Sequence, residues 1–297
     1  MSDQLPPPAV GVIHDIGYRH YDGPRLGRFA IAQALTVSSL RHAYGLGRSG
    51  KSKVMPLLLL AVMVVPVAIM VGIENALDFD NPPLSQMRYI FFLQAVIALY
   101  LASQAPQLFS RDLRYRSIVL YLARPLRRTD YALAKLSALV LALMVLMGLP
   151  MVILYAGALL AKFNFTLMTK EFLSGLVTAL LLSILLAAIG GLIAAATPRR
   201  GFAVAAIIAV LIVSFTAVIV VTAILDPEGT HRSVASRYAN LGSPFSLVEV
   251  LSTFILRGGG DWVPSTSEGL VFAAVYVAVV GICSWGVNAR YAKVARG

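Results

Sequence analysis

Arg199-Arg200-Gly201-Phe202-Ala-Val-Ala-Ala-Ile-Ile-Ala-Val-Leu-Ile-Val-Ser214-Phe-Thr216-Ala-Val-Ile-Val-Val-Thr222-Ala-Ile-Leu225 carries no ionisable side chain after its opening arginine pair. About 20 apolar residues in a helix cross the hydrocarbon core of a bilayer. Only a helix can do so within one segment, because each backbone N–H and C=O must find its partner where no water is present. Five further blocks read the same way, at 54–73, 89–109, 136–160, 172–196 and 270–287, and none contains Asp, Glu, Lys, Arg or His. With 202–225 they predict an all-α integral membrane protein of six transmembrane helices.

Composition agrees. Of the 297 residues, 58% are hydrophobic and 13% charged, against roughly a quarter charged in soluble chains. The net charge of +11 would suit a nucleic-acid partner, but its distribution argues for a topology instead. With both termini in the cytoplasm, nineteen of the 25 Lys and Arg lie inside and six outside, as the positive-inside bias requires. Met1–Arg28 lacks the apolar h-region of a secretory signal. Cys283, the single cysteine, lies within the last block and implies packing rather than a disulfide.

The connections differ in length. Residues 1–53 form a cytoplasmic segment whose stretch 28–47 lacks proline and mixes Phe29, Ile31, Leu35, Leu40 and Tyr44 with Arg41, His42 and Ser38. This reads as an interfacial helix leading into the first span, with an ordinary solvated helix as the alternative. The loop after Ile73 is short and acidic, through Glu74, Asp78 and Asp80. The external segment 226–269 is the longest and holds an apolar run, 245–256, too short to cross a bilayer and so re-entrant or interfacial. A short tail, 289–297, closes the chain in the cytoplasm.

Gly45-Leu-Gly-Arg-Ser-Gly50-Lys51-Ser52 matches the phosphate-loop pattern G-x-x-x-x-G-K-[ST] letter for letter. The pattern works when a β-strand feeds it and a helix N-terminus follows. Ser38–Tyr44 does not read as a buried strand, and no apolar run ends in an acidic pair to hold magnesium. We therefore read a glycine-rich basic hinge near lipid headgroups and expect no cofactor in this chain. His14, His20, His42 and His231 lack metal-ligand spacing. No nucleophile elbow is present, so neither a catalytic nor a metal site is expected, and the chain is not read as an enzyme.

The basic stretch 110–135 reads Ser110-Arg-Asp112-Leu-Arg-Tyr-Arg116-Ser117-Ile118-Val-Leu-Tyr121-Leu122-Ala-Arg124-Pro125-Leu-Arg127-Arg128-Thr-Asp130-Tyr131-Ala-Leu-Ala-Lys135. It resembles the loop after the second span in ABC-2 type transporter permeases. Asp112, Ser117, Pro125, Arg128 and Lys135 fall at the matching spacings, while Arg116 stands for the usual Gly and Ser117 for the usual Thr. Gly17–Arg25 is also similar to a segment preceding the first span in some of these permeases. The resemblance implies a type V exporter-like fold with an N-terminal elbow helix, in the cell membrane. It also implies a dimer with a second permease copy or a related permease, and two copies of a cytoplasmic ABC ATPase that bind the ATP and Mg.

A permease without its own nucleotide site must receive work through a rigid cytoplasmic protrusion. Ile118, Val119, Tyr121 and Leu122 would pack on the ATPase, and Arg124, Arg127 and Arg128 would bond its surface. The bland alternative is that these arginines set topology and touch anionic lipid. For the path, Tyr100, Gln104 and Gln107 share one helical face, with Pro106 bending the cytoplasmic end. Ser214, Thr216 and Thr222 are weaker candidates. The resemblance places spans one, two and five around the path, whereas buried amides that merely bridge helices are the plain reading. With no intramembrane charge, the implied cargo is hydrophobic or amphipathic (a drug, antibiotic or lipid-like compound), and the family implies export. A secondary transporter or channel would need intramembrane ionisable groups or broken-helix repeats, and an intramembrane lipid-processing enzyme would need clustered acids or histidines.

Overall fold

The computed structural model describes residues 23, 27–47, 50–77, 84–110, 112, 126–197, 199–227, 233–257 and 262–294. Every regular element among them is helical. In chain order these are α1 (Arg28–Ala43), α2 (Gly50–Ala76), α3 (Gln86–Phe92), α4 (Gln94–Leu108), α5 (Arg128–Leu160) and α6 (Phe165–Ala196). They continue with α7 (Arg200–Leu225), α8 (Val234–Ala239), a 3-10 turn (Asn240–Gly242), α9 (Pro244–Leu256) and α10 (Thr266–Val294). Local chemistry places several ends. Asn164 accepts from the backbone N–H of Thr166 and Leu167 at 3.0 and 3.2 Å and caps α6. Ser85 does the same for α3 through Arg88 at 3.3 Å.

Five helices, α2, α5, α6, α7 and α10, are long and apolar enough to cross a membrane. The expected second span differs from a single rod. It is α3 and α4, bent by 61° at Leu93, and it makes a sixth crossing only if the pair is counted as one. No proline or glycine stands at the break, and α4 carries on through Pro106 to Leu108. Both arms are packed: α3 lies on α6, where Tyr89 also donates to the Met63 carbonyl of α2 at 2.6 Å, and α4 lies along α7 and α6. The apolar run at 245–256 is α9, which turns back at 120° on α8 and its 3-10 turn.

The helices outrun their apolar blocks. α5 starts at Arg128 rather than Leu136, and α2 ends at Ala76, which brings Glu74 into its last turn instead of a loop. Glu74 sits on the stripe that α2 buries, with Pro56, Leu59, Met63 and Val67, and neither carboxyl oxygen has a hydrogen-bond partner among the described residues.

α5 and α6 form the centre, with 50% and 56% of their most apolar stretch buried, against 22% for α2 and 17% for α7 and α10. Leu, Ile and Val cover the outer faces of those peripheral helices, for example Val213, Ile224, Val277 and Ile282, a surface suited to hydrocarbon rather than water. Inside, Gly190 and Gly191 let α6 approach its neighbours: a Cβ on Gly190 would meet Leu101 at 2.8 Å, and one on Gly191 would meet Leu136 at 3.0 Å. Small residues at such crossings replace the hydrophobic drive that lipid removes.

Of the phosphate-loop match, Gly45–Gly47 belong to a turn after α1 and Gly50–Ser52 open α2. α1, not a strand, precedes it. Gly45 takes φ +67°, its N–H donates to His42 at 3.1 Å and that of Leu46 donates to Arg41 at 2.8 Å, which closes α1 in a left-handed cap. A Cβ at Gly45 would stand 2.5 Å from the Ser52 carbonyl oxygen, so glycine is needed for the turn itself.

Candidate functional site

The basic stretch between α4 and α5 is described at both of its ends, and the two ends are tied together. Asp112, partly buried, accepts from Lys135 Nζ at 2.7 Å and from the Tyr131 hydroxyl at 2.5 Å. Lys135 retains only 7% of its side-chain exposure. Tyr131 and Lys135 lie four apart on α5 and share one face, and the ammonium also stands 5.6 Å from the Tyr131 ring centroid. Tyr131 in turn meets Tyr291 of α10 edge-on, centroids 5.4 Å apart. Tyr291 is fully buried, and its hydroxyl has no hydrogen-bond partner among the described residues. Just before the stretch, Ser110 donates to the Ala194 carbonyl near the end of α6 at 2.7 Å.

A second tie joins α1. Asp130, in the first turn of α5, accepts from Arg28 at 2.5 Å and from the backbone N–H of Arg127 at 3.3 Å, the latter closing the start of the helix. α1 then follows α5 in the same direction, through Thr36 beside Ala134 and Ser137 (both 3.3 Å) to Tyr44, which donates to the Ala142 carbonyl at 2.7 Å. α1 is thus braced lengthwise on α5.

Of the residues expected to meet an ATPase, Arg127 and Arg128 are exposed at the N-terminus of α5, while Asp112 is turned inward. Arg116, Ser117, Ile118, Tyr121, Leu122, Arg124 and Pro125 lie outside the described residues. The clamp residues Tyr131, Tyr291 and Arg28 were not singled out as site residues by the sequence. Tyr131 and Lys135 had a signal in their four-residue spacing; Tyr291 had none, since its partner lies more than 150 positions away.

The expected path residues differ in their surroundings. Tyr100 and Gln104 are fully buried within the bundle. Gln104 donates to Ser103 at 3.0 Å and leaves its Oε1 without a partner among the described residues, and Gln107 donates to the Ser103 carbonyl at 3.1 Å. On α7, Ser214 donates to its own helix at Leu211, 3.0 Å away, and Thr216 faces outward, exposed. Thr222 likewise bonds back to Val218 at 2.8 Å. Each of these two hydroxyls thus spends its proton within its own helix.

Among the described residues, no three His, Cys, Asp or Glu side chains come together as a metal site; His14, His20 and His231 lie outside them. Compared with known proteins, the chain matches no family model and no curated relative.

Proposed function

We propose that this chain is the membrane-spanning subunit of an ATP-driven exporter of the ABC-2 type. It would pair with a second permease and take work from two copies of a separate cytoplasmic ATPase that binds ATP and Mg. In this reading both termini are cytoplasmic, the protein sits in the cell membrane among lipids it contacts directly, and the cargo is a hydrophobic or amphipathic compound. The observation that carries the reading is the double tie at the base of the basic stretch. Asp112 with Lys135 and Tyr131 joins its two ends, and Arg28 with Asp130 joins it to α1. A protrusion hinged on loose chain would dissipate a push. One stapled at its base to a central helix passes the displacement to α5, and from there to α6 and α1, which pack on it.

Co-purification and reconstitution test this. An ATPase bearing a phosphate-binding loop is expected to associate with the chain, and Arg128→Glu is expected to abolish transport and substrate stimulation of ATP hydrolysis. No associated ATPase, or an Arg128→Glu protein with both activities intact, removes the proposal.

A secondary transporter has two observations on its side, the break between α3 and α4 and the buried carboxyl of Glu74. They count for less because Glu74 has no second ionisable group paired with it among the described residues. The two bent pairs, at 61° and 120°, also are not repeats of one another. Transport that survives ATP depletion but stops with Glu74→Gln would reverse this ranking.

A further inference from the structure

A cleft of about 690 Å³ opens between α1, α5, α6 and α10. Its walls change character along the helices. At the end nearest the basic stretch stand Arg28, Asp130 and Gln33; further along, the lining is Val140, Ile184 and Val280. Asp130 precedes Leu136, where the uncharged block begins, by about 9 Å of helix rise. The polar end therefore falls at headgroup level and the apolar part below it.

Three of the four walls are helices long and apolar enough to span a membrane, so the cleft faces hydrocarbon sideways. Empty, it would forfeit the dispersion contacts of its lining; filled with water, it would strand hydrogen-bonding groups against Val and Ile. An acyl chain meets neither cost. At the mouth, Arg28 directs Nε and Nη2 to Asp130, and its side chain is 44% exposed. Arg127 and Arg128 stand just before Asp130 on α5, exposed but not part of the cleft lining, so a headgroup at Arg28 has two further cations within about a turn of Asp130. Gln33 adds an exposed amide.

We propose that this cleft binds a single anionic phospholipid of the leaflet beside the basic stretch, one acyl chain lying between α5, α6 and α10 and the phosphate at Arg28. The site does not depend on the transport reading, because it can be read without any ATPase. Bound there, the lipid would wedge between α1 and α10.

The test extracts the full chain in mild detergent from vesicles of equal phosphatidylglycerol and phosphatidylcholine and counts retained phospholipid by native mass spectrometry. The unsubstituted protein is expected to keep one phospholipid, mainly phosphatidylglycerol. Val140→Trp, which fills the apolar part, should lose it, whereas Leu141→Trp on the exposed side of α5 should keep it. Arg28→Gln should keep a phospholipid but lower the phosphatidylglycerol preference about fivefold, the effect of one interfacial cation. Retention by Val140→Trp equal to that of the unsubstituted chain, or no headgroup preference at the outset, overturns the proposal. Should Val140→Trp fail to fold, Arg28→Gln decides alone, and an unchanged lipid ratio overturns it. A Val140→Trp protein that keeps its lipid but no longer responds to a transported compound would assign the cleft to cargo instead.

Discussion

The chain carries a carboxylate clamp at each end of its helical bundle, and the two are built differently. At the end of the basic stretch, Asp112 is held by Lys135 at 2.7 Å and Tyr131 at 2.5 Å, on a helix half of whose apolar core is buried. At the other end, Glu268 at the start of α10 accepts from Arg237 of α8 at 2.7 Å, from the Ser265 N–H at 2.9 Å and from the Ser265 hydroxyl at 2.8 Å. Arg237 also stands 5.6 Å from the Trp262 ring. The first clamp joins the two ends of one connection on central helices. The second ties a folded-back hairpin to a peripheral helix, only 17% buried in its apolar stretch. The difference teaches where stiffness is placed: the basic stretch is anchored into the core, and the hairpin is latched to the rim.

Lys135→Met should break that contrast most severely. It takes the ammonium away from the partly buried Asp112 carboxylate, at a cost of about 3 kcal/mol, seen as a lowered unfolding temperature in detergent. Adding Asp112→Asn to it should recover most of that loss, because the charge left behind, rather than the missing pair, is what costs. A double variant as unstable as the single one would show that the pair itself carries the energy.

Glu268→Gln should cost less, about 1.5 kcal/mol, since an amide oxygen still accepts from Ser265 while the charge-assisted bond to Arg237 weakens. Faster proteolysis near the hairpin, with unchanged cleavage near the basic stretch, is the expected pattern. Trp262→Leu keeps apolar bulk and removes the ring beside Arg237, for about 0.5 kcal/mol; a loss as large as that of Glu268→Gln would make the ring a principal support of the latch. Smallest of all, Arg28→Gln should leave the unfolding temperature unchanged at high salt, because an exposed ion pair is screened there. A drop that persists in salt would move Arg28 from the rim of the inner clamp into its core.

Legibility followed range. The Asp112 to Lys135 spacing was readable as part of a resemblance, yet its physical role, a staple turned inward, was not. The sequence reading offered Asp112 to a partner, whereas its carboxylate already has two partners within the chain. Tyr100 and Gln104 were correctly placed on one face of one helix, but periodicity says only which residues share a face. What that face meets depends on neighbours, and here it meets the packed bundle. Glu74 was assigned to a loop because the apolar block stops at Ile73, although a helix is free to continue past the point where its side chains become polar.

By itself, the sequence determined that this is a helical protein suited to a membrane. That information is local: uncharged blocks of membrane length can satisfy their backbone only as helices, and five of them are long helices in the structure. Tertiary structure alone decided that α3 and α4 bend at Leu93, that α5 and α6 occupy the centre, that α1 is braced along α5, and that Asp112, Lys135, Tyr131 and Tyr291 gather in one cluster. These depend on contacts between residues far apart in the chain, where the choice among apolar neighbours is settled by shape and by the few polar groups that must find partners.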